Sequence, residues 1–298
     1  MTSVGVVAHA KKRMGGGLAE LRKTLNDHGL SDLPWHEVSK SKHVPKLVDE
    51  LVDTGVDLLF VWGGDGTVQR AIDAIAGKPV SLAILPAGTA NLLATNLGLP
   101  DDLAGCVRIG LDGARRGLDL GKVNGEHFAV MAGAGLDAMM IRAADAGLKD
   151  RVGRIAYVWT GARNVQLDPV AMSIEVDGDR WFEGEASCVL VGNVGDVFGG
   201  LSVFPDAEPS DGFLNLGVVT ADGAWEWART LGRAVVGDAS ASPFVKTTTG
   251  RAFDVRLASP LPYQLDGGDR KAVKKLRVKV KPSAITVCVP KESVDEHS

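Results

Sequence analysis

The chain has 298 residues, enough to bury a sizeable core and, at about 150 residues per domain, to form two domains rather than one. Its 33 Lys and Arg against 37 Asp and Glu leave a net charge of −4, which argues against a nucleic-acid binder. Three scattered cysteines, Cys106, Cys188 and Cys288, form no C-x-x-C pair and no disulfide framework, and they fit a reducing cytoplasm.

From Met1-Thr2-Ser3 the chain runs straight into a short apolar strand, Val4 to His9, without the layout of a signal peptide. Leucine at helical spacing predicts a helix over Leu18 to His28, ended by Gly29. A second strand, Trp35 to Val38, leads to a helix over Val44 to Thr54, with Pro45 in its first turn and Gly55 at its end. Asp57 to Trp62 is a nearly continuous apolar run, the pattern of a central strand covered on both faces. A helix over Thr67 to Ala76 and a buried strand over Val80 to Leu85 complete an alternation that predicts a parallel sheet.

After residue 115 the pattern changes to hairpins. Leu118 to Val123 and Glu126 to Met131 flank Asn124-Gly125, and Met172 to Val176 and Arg180 to Glu183 flank Asp177-Gly178. Strand-like runs follow at Cys188 to Val191, Phe213 to Val219, Ala252 to Leu257, Arg277 to Lys281 and Ile285 to Val289. Helical signals interrupt them near Leu148 to Val165 and near Trp225 to Val236. The expected division is a nucleotide-binding α/β domain over 1–122, a β-sandwich domain over 123–290 and a frayed tail over 291–298. The longest uncharged apolar run, near Phe128 to Leu136, is well short of the roughly 20 residues that a bilayer span needs.

Gly63-Gly64-Asp65-Gly66-Thr67 stands where a buried strand ends and a helix begins, the place where open α/β sheets bind ligands. Glycines there tolerate positive φ and admit phosphate oxygens to backbone N–H groups, and Thr67 is a candidate cap for the helix that follows. Asp65 repels a bare phosphate, so it calls for a magnesium ion beside it or for a nucleotide hydroxyl or amide to accept from. Pro86-Ala87-Gly88-Thr89-Ala90-Asn91 closes the next strand with a second polar turn. Lys11-Lys12-Arg13-Met14-Gly15-Gly16-Gly17 follows the first strand; its cations suit a triphosphate, or it is a solvated turn. Neither a G-x-x-x-x-G-K-[ST] loop nor a G-x-G-x-x-G fingerprint is present.

These two loops in this order, with Leu92-Leu93-Ala94 and Asn96-Leu97-Gly98-Leu99-Pro100 after them, resemble the diacylglycerol kinase catalytic domain family, which includes sphingosine-kinase-like lipid kinases. The resemblance extends through Asp119-Leu-Gly121, Gly133-Ala-Gly135-Leu-Asp137, Gly153-Arg-Ile-Ala-Tyr157, Pro205 to Gly212 and Gln264-Leu-Asp266-Gly267. It implies a three-layer nucleotide domain of the NAD-kinase and phosphofructokinase type followed by a β-sandwich, with ATP in the cleft. It implies an ATP- and Mg2+-dependent kinase of a lipid hydroxyl, with diacylglycerol as the default acceptor.

By the same resemblance, Asp266 is the base that takes the hydroxyl proton, in a turn where the family's usual glutamate is Gly268 and Asp269 follows. Glu208, Asp211 and the Phe213 carbonyl match a loop that holds a structural magnesium; acids around Pro and Gly also make an ordinary solvated turn. The nucleotide set is His9, Lys11, Lys12, Arg13, Ser39, Gly63, Gly64, Asp65, Gly66, Thr67, Gly88, Thr89 and Asn91. His9 stands where the family's first loop has asparagine, and Gln69-Arg70 stands where the family has Asn-Glu.

The lipid is expected at a membrane surface, reached by transient peripheral contact from the cytoplasm. Lys149, Arg151 and Arg154 ahead of Tyr157 and Trp159, and the alternating cations Arg277, Lys279 and Lys281, are the segments that could face it, or they are a docked helix and a solvated strand face. The oligomeric state is left open and is compatible with a homodimer. Two other functions are weighed: an NAD-kinase-like small-molecule kinase, and a nucleotide or lipid sensor without catalysis.

Overall fold

A short, nearly unbroken apolar run is the pattern of a strand whose two faces are both covered, and the first half of the chain repeats that pattern. In the computed structural model, which describes residues 2–12, 15–135, 169–196, 203–236 and 242–291, Val4–His9 (β1) and Leu58–Gly63 (β3) are buried throughout. With Trp35–Val38 (β2) and Ser81–Pro86 (β4) they form a parallel sheet in the order β4-β3-β1-β2. The end of the chain's last strand, Gly268–Val289, adds to the free side of β4, also parallel, with Thr286 opposite Ser81 and Val287 opposite Leu82.

Helices cover this sheet with apolar stripes at helical spacing. α1 (Leu18–Asp27) buries Leu21 and Leu25, and α2 (Val44–Asp53) buries Val44, Val48 and Leu51. α3 (Asp65–Ile75) buries Val68, Ala71, Ile72 and Ile75. It begins two residues earlier than the sequence predicts, because Gly64 rather than Thr67 takes the N-cap position. Two helices were not predicted at all. Asn91, at φ 47, turns the chain into the short α4 (Leu92–Asn96). Asp102 caps α5 (Leu103–Asp112) by accepting the Gly105 N–H at 2.7 Å. One core cluster joins Phe60, Trp62, Leu85, Leu25, Val107 and Cys288, and each large side chain buried there contributes about 1.5–3 kcal/mol of transfer free energy.

The chain divides into two compact units, Met1–Leu118 with Ser283–Ser298, and Asp119–Pro282. The second unit is antiparallel. β5 (Ala114–Val123) and β6 (Glu126–Phe128) form the first hairpin, and β7 (Met131–Ala134) follows. β8 (Val170–Val176) and β9 (Asp179–Ala186) form the second, ahead of β10 (Cys188–Gly192) and β11 (Leu214–Val219). Then come α6 (Gly223–Val236), β12 (Val245–Gly250), β13 (Ala252–Leu265) and β14 (Gly268–Val289). The order β12-β11-β10-β7-β13-β14 is antiparallel throughout; β8 pairs with β13 over Phe253 to Leu257, and β7 pairs with it over Tyr263 to Leu265, beyond the register shifts of the β13–β14 ladder. Its core gathers Phe128, Ile174, Val189, Val191, Leu216, Phe253 and Leu265 on one face of the strands.

Where the sequence separates Arg277 to Lys281 from Ile285 to Val289, the structure has one strand of 22 residues. Among the described residues no helix is long and apolar enough to cross a membrane. The helix predicted near Leu148 to Val165 and the tail from residue 292 lie outside the described residues.

Candidate nucleotide site and candidate base

β3 ends at Gly63, α3 begins at Asp65, and β4 ends at Pro86 beside Gly63, so the two glycine loops lie at adjacent strand ends. None of Gly63, Gly64, Gly66 and Gly88 has positive φ, so conformational freedom is not why glycine stands there. Close approach is the reason at three of them. A Cβ on Gly64 would lie 2.9 Å from the Gly88 Cα, and one on Gly88 would lie 2.5 Å from the Gly64 Cα. A Cβ on Gly63 would meet the Thr67 side chain at 2.5 Å. Gly66 is different: it is exposed, and a Cβ there would meet no described atom outside its own helix turn within 4 Å. Glycine in a helix costs roughly 0.5–1 kcal/mol relative to alanine, and here the fold gains nothing in exchange.

At the start of α3 the Thr67 N–H already donates to the Gly64 carbonyl at 2.8 Å, while the N–H groups ahead of it have no carbonyl of an earlier helical turn to reach and carry the positive end of the helix dipole. Lys12 brings a full positive charge to the same place, its Nζ 3.7 Å from where a Gly64 Cβ would sit. Asp65 does not oppose them toward a ligand. Its carboxylate accepts the N–H of Leu92 at 2.6 Å and of Asn91 at 3.0 Å, so it caps the start of α4 from the neighbouring loop. The amides that Asp65 serves therefore belong to the protein, not to a nucleotide. Burial pushes its pKa up; the Leu92 and Asn91 N–H groups and Lys12 pull it back.

Asn91 is likewise committed to the fold. Its Oδ1 accepts the Gly88 N–H at 2.8 Å and its Nδ2 donates to the Gly88 carbonyl at 3.0 Å. Thr89, between them, is exposed. Thr67 is buried in the first turn of α3, and its hydroxyl is 3.0 Å from the Ser41 hydroxyl. Ser41 is the hydroxyl that the sequence reading passed over in favour of Ser39, which is exposed beyond β2. The two lie two residues apart after the strand, and Ser41 opens the 3-10 turn Ser41–His43.

His9, at the end of β1, is buried, and its Nδ1 accepts the Lys11 N–H at 3.3 Å. Desolvation first and Lys12 second hold its pKa below 6.5, so a neutral ring serves as acceptor. Lys11 is exposed; Arg13 lies outside the described residues. The structure thus gathers His9, Lys12, Ser41, Gly63, Gly64, Asp65, Gly66, Thr67, Gly88 and Asn91 near the adjacent ends of β1, β3 and β4.

In the second unit Asp266 (φ 44) and Gly267 (φ 76) form the two-residue turn between β13 and β14, with Leu265 paired to Gly268. Asn124-Gly125 and Asp177-Gly178 have the same pair of positive φ angles, the signature of type I′ hairpins. All three side chains accept backbone N–H groups, but the settings differ. Asp177 is exposed and serves Arg251 and Ala252. Asp266 is 4% exposed and takes three successive donors, Ala129 at 2.8 Å and Val130 and Met131 at 2.9 Å each. Asp269, opposite Gln264 in the ladder, accepts from the Gln264 amide at 3.0 Å. Arg270 forms a two-pronged pair with Glu126, closest at 2.8 Å.

The acidic loop is knit by backbone bonds. The Phe213 N–H donates to Asp211 Oδ1 at 2.8 Å, and the Asp211 N–H reaches the Glu208 carbonyl at 3.4 Å. Asp119, fully buried, spans the loop: its N–H donates to the Pro209 carbonyl at 2.8 Å and its Oδ2 accepts the Gly212 N–H at 2.6 Å. Among the described residues no cluster of three or more His, Cys, Asp or Glu side chains is arranged to hold a metal. The strand cations Arg277, Lys279 and Lys281 are exposed, although Asp254 lies 3.8 Å from Arg277 and 2.7 Å from Lys275. The basic and aromatic segment from Lys149 to Trp159 is outside the described residues.

Comparison with known proteins gives two family matches in sequence. Residues 8–123 match the diacylglycerol kinase catalytic domain, and residues 130–289 match the YegS C-terminal NAD kinase beta sandwich-like domain. The chain is 32% identical over 247 residues to a Pseudomonas aeruginosa protein named "Probable lipid kinase YegS-like", covering 82% of this chain and 80% of that one. Its fold superposes on a Bacillus anthracis structure described as a diacylglycerol kinase with a TM-score of 0.80, at 23% identity and 97% coverage of both chains. An Archaeoglobus fulgidus NAD kinase in complex with ATP has a TM-score of 0.57 at 10% identity, covering 99% of this chain and 96% of that one. These two structures establish the architecture, an NAD-kinase-like α/β domain followed by a β-sandwich-like domain.

Proposed function

The chain belongs to the family of lipid kinases that join a diacylglycerol kinase catalytic domain to a YegS-type C-terminal domain, and from that premise we propose that it transfers the γ-phosphate of ATP to the hydroxyl of diacylglycerol, giving phosphatidic acid. The observation that carries the nucleotide half is Gly66. A solvent-facing glycine in the first turn of α3, two residues after the Gly64 that Lys12 approaches, costs helix stability and gains no packing contact among the described residues. Phosphate oxygens need that missing Cβ. In this reading the N–H groups of α3 and Lys12 hold the phosphates, and neutral His9 orients the loop through the Lys11 N–H.

Asp266 is the base. An alcohol attacks phosphorus poorly until its proton is taken, and a fixed carboxylate within hydrogen-bond reach can take it. Magnesium supplies charge neutralisation of the phosphates when bound. Glu208, Asp211 and the Phe213 carbonyl would hold a structural Mg2+; carboxylate and carbonyl oxygens are the hard donors that this ion takes. The acceptor lipid is met at a membrane surface from the cytoplasm by transient contact, in which the exposed Lys279 and Lys281 attract anionic headgroups.

The test is transfer of label from γ-labelled ATP to a panel of lipids, with products identified by mass spectrometry. Phosphatidic acid is the expected product. Failure with every lipid, together with formation of NADP from NAD, would replace the proposal with a small-molecule kinase. Wild-type turnover by Asp266→Asn would remove the base assignment.

A further inference from the structure

Three backbone N–H groups in a row aim at Asp266, and residues 129–131 present them only while that stretch is held in place. The holding group is Asn193, in the turn after β10, itself 1% exposed. Its N–H donates to the Val130 carbonyl at 2.9 Å. Its side-chain Nδ2 donates to the Ala129 carbonyl at 3.0 Å and to the Asp119 carbonyl at 2.8 Å. Two carbonyls facing one end of the amide fix which end is nitrogen, because oxygen there would face two acceptors. Among the described residues Asn193 Oδ1 is buried without a partner, while Nδ2 has two.

The same asparagine reaches the acidic loop. Asp119, whose carbonyl it holds, grips Pro209 through its own N–H and Gly212 through its carboxylate. An unbroken series of hydrogen bonds therefore runs from residues 209–212 through Asp119, Asn193 and residues 129–131 to the carboxylate of Asp266. Every link is buried or half-buried, where a missing partner is costly.

We propose that Asn193 is a positioning residue for the transfer step, which holds residues 129–131 so that their N–H groups fix Asp266 and which ties that geometry to the order of the 208–213 loop. This rests on the base assignment above. Asn193 touches neither nucleotide nor lipid in this account; it acts through Asp266 alone.

The experiment compares Asn193→Ala with the wild type, alone and in an Asp266→Asn background, using γ-labelled ATP and diacylglycerol micelles. Expected is a fall in kcat of about tenfold to a hundredfold with the ATP dissociation constant unchanged, since misplacing a reacting group by about 1 Å costs up to about a hundredfold in rate. In the Asp266→Asn background the same substitution is expected to cost nothing further, as for groups acting as one unit. Equal losses in both backgrounds overturn the coupling and leave the base assignment standing. Full turnover by Asp266→Asn alone overturns the base assignment and this proposal with it.

Hydrogen exchange supplies a readout independent of rate, with Asn193→Ser, which keeps one donor, if the alanine variant does not fold. The amides of 129–131 should exchange about tenfold faster or more, while those of β3 and β4 keep their protection. Unchanged exchange at 129–131 overturns the proposal.

Discussion

Replacing Gly66 by alanine separates what the fold wants from what a ligand wants. The new methyl group would meet no described atom outside its own helix turn within 4 Å, and the backbone is not in the left-handed region, so neither clash nor strain opposes it. Alanine at an ordinary helical position is favoured over glycine by about 0.5–1 kcal/mol, mostly through the unfolded chain. Gly66 lies in the first turn, so the lower end is expected, and about 2–4 °C per kcal/mol gives a rise in melting temperature of about 1–2 °C. The same methyl group would stand over the opening N–H groups of α3 and keep a phosphate oxygen from hydrogen-bond distance. Losing one charge-assisted bond of about 1.5–3 kcal/mol weakens ATP binding roughly 10- to 150-fold. The assay is a pair of measurements on one protein, a thermal melt without ligand and a calorimetric titration with ATP. A higher melting point with unchanged ATP affinity would refute the phosphate reading; a lower melting point would refute the claim that the site is sterically open.

Three further outcomes follow from the same geometry. Asp65→Asn keeps the shape but turns an amide N–H toward one of two backbone donors, so unfolding in urea should show a loss of about 1–3 kcal/mol, and unchanged stability would mean that the carboxylate is not what caps α4. The lowered pKa of His9 means that the folded protein holds the neutral ring, so its contribution is present above 6.5 and is lost as pH falls through 6.5 toward the folded value. Denaturation of His9→Asn against the wild type from pH 7.5 to 5.5 should show a stability difference that shrinks toward acid; a constant difference contradicts this. Burial pushes the thiols of Cys106 and Cys188 up to about 12 and that of Cys288 to about 11, so thiol reagents at pH 8 should label none of the three until denaturant is added.

The parallel sheet was legible because its strands are uninterrupted apolar runs, and the hairpins because Asn124-Gly125 and Asp177-Gly178 admit few other conformations. α5 was missed although its signal was present: Asp102 precedes Leu103, Cys106 and Val107 at helical spacing. α4 is a different case, since five residues starting from a left-handed asparagine carry no periodic pattern. The glycine loop was correctly placed at a strand end, but for a reason the sequence could not supply. Gly64 and Gly88 touch across 24 positions of chain, and only the structure shows which backbone each must admit. Asp65 and Asn91 read as ligand-facing polar residues because nothing local reveals that their partners are backbone groups on the adjacent loop. Asn193 drew no notice for the same reason: its three acceptors come from residues 119, 129 and 130.

β14 begins in one compact unit and ends in the other, with Thr286 and Val287 completing the sheet beside β4. The ribosome releases residues in order, at about 5–20 per second. The first unit therefore waits some 165 residues, from Leu118 to Ser283, or about 8–33 s, before its outermost strand exists. Through that interval β4 is an unpaired edge of hydrophobic sequence, the kind of surface that recruits other chains. The second unit, contiguous from Asp119 to Pro282, carries no such debt to a distant segment. In this molecule the first-made half is the last to be finished, and crowding of nascent chains would be felt at β4 first.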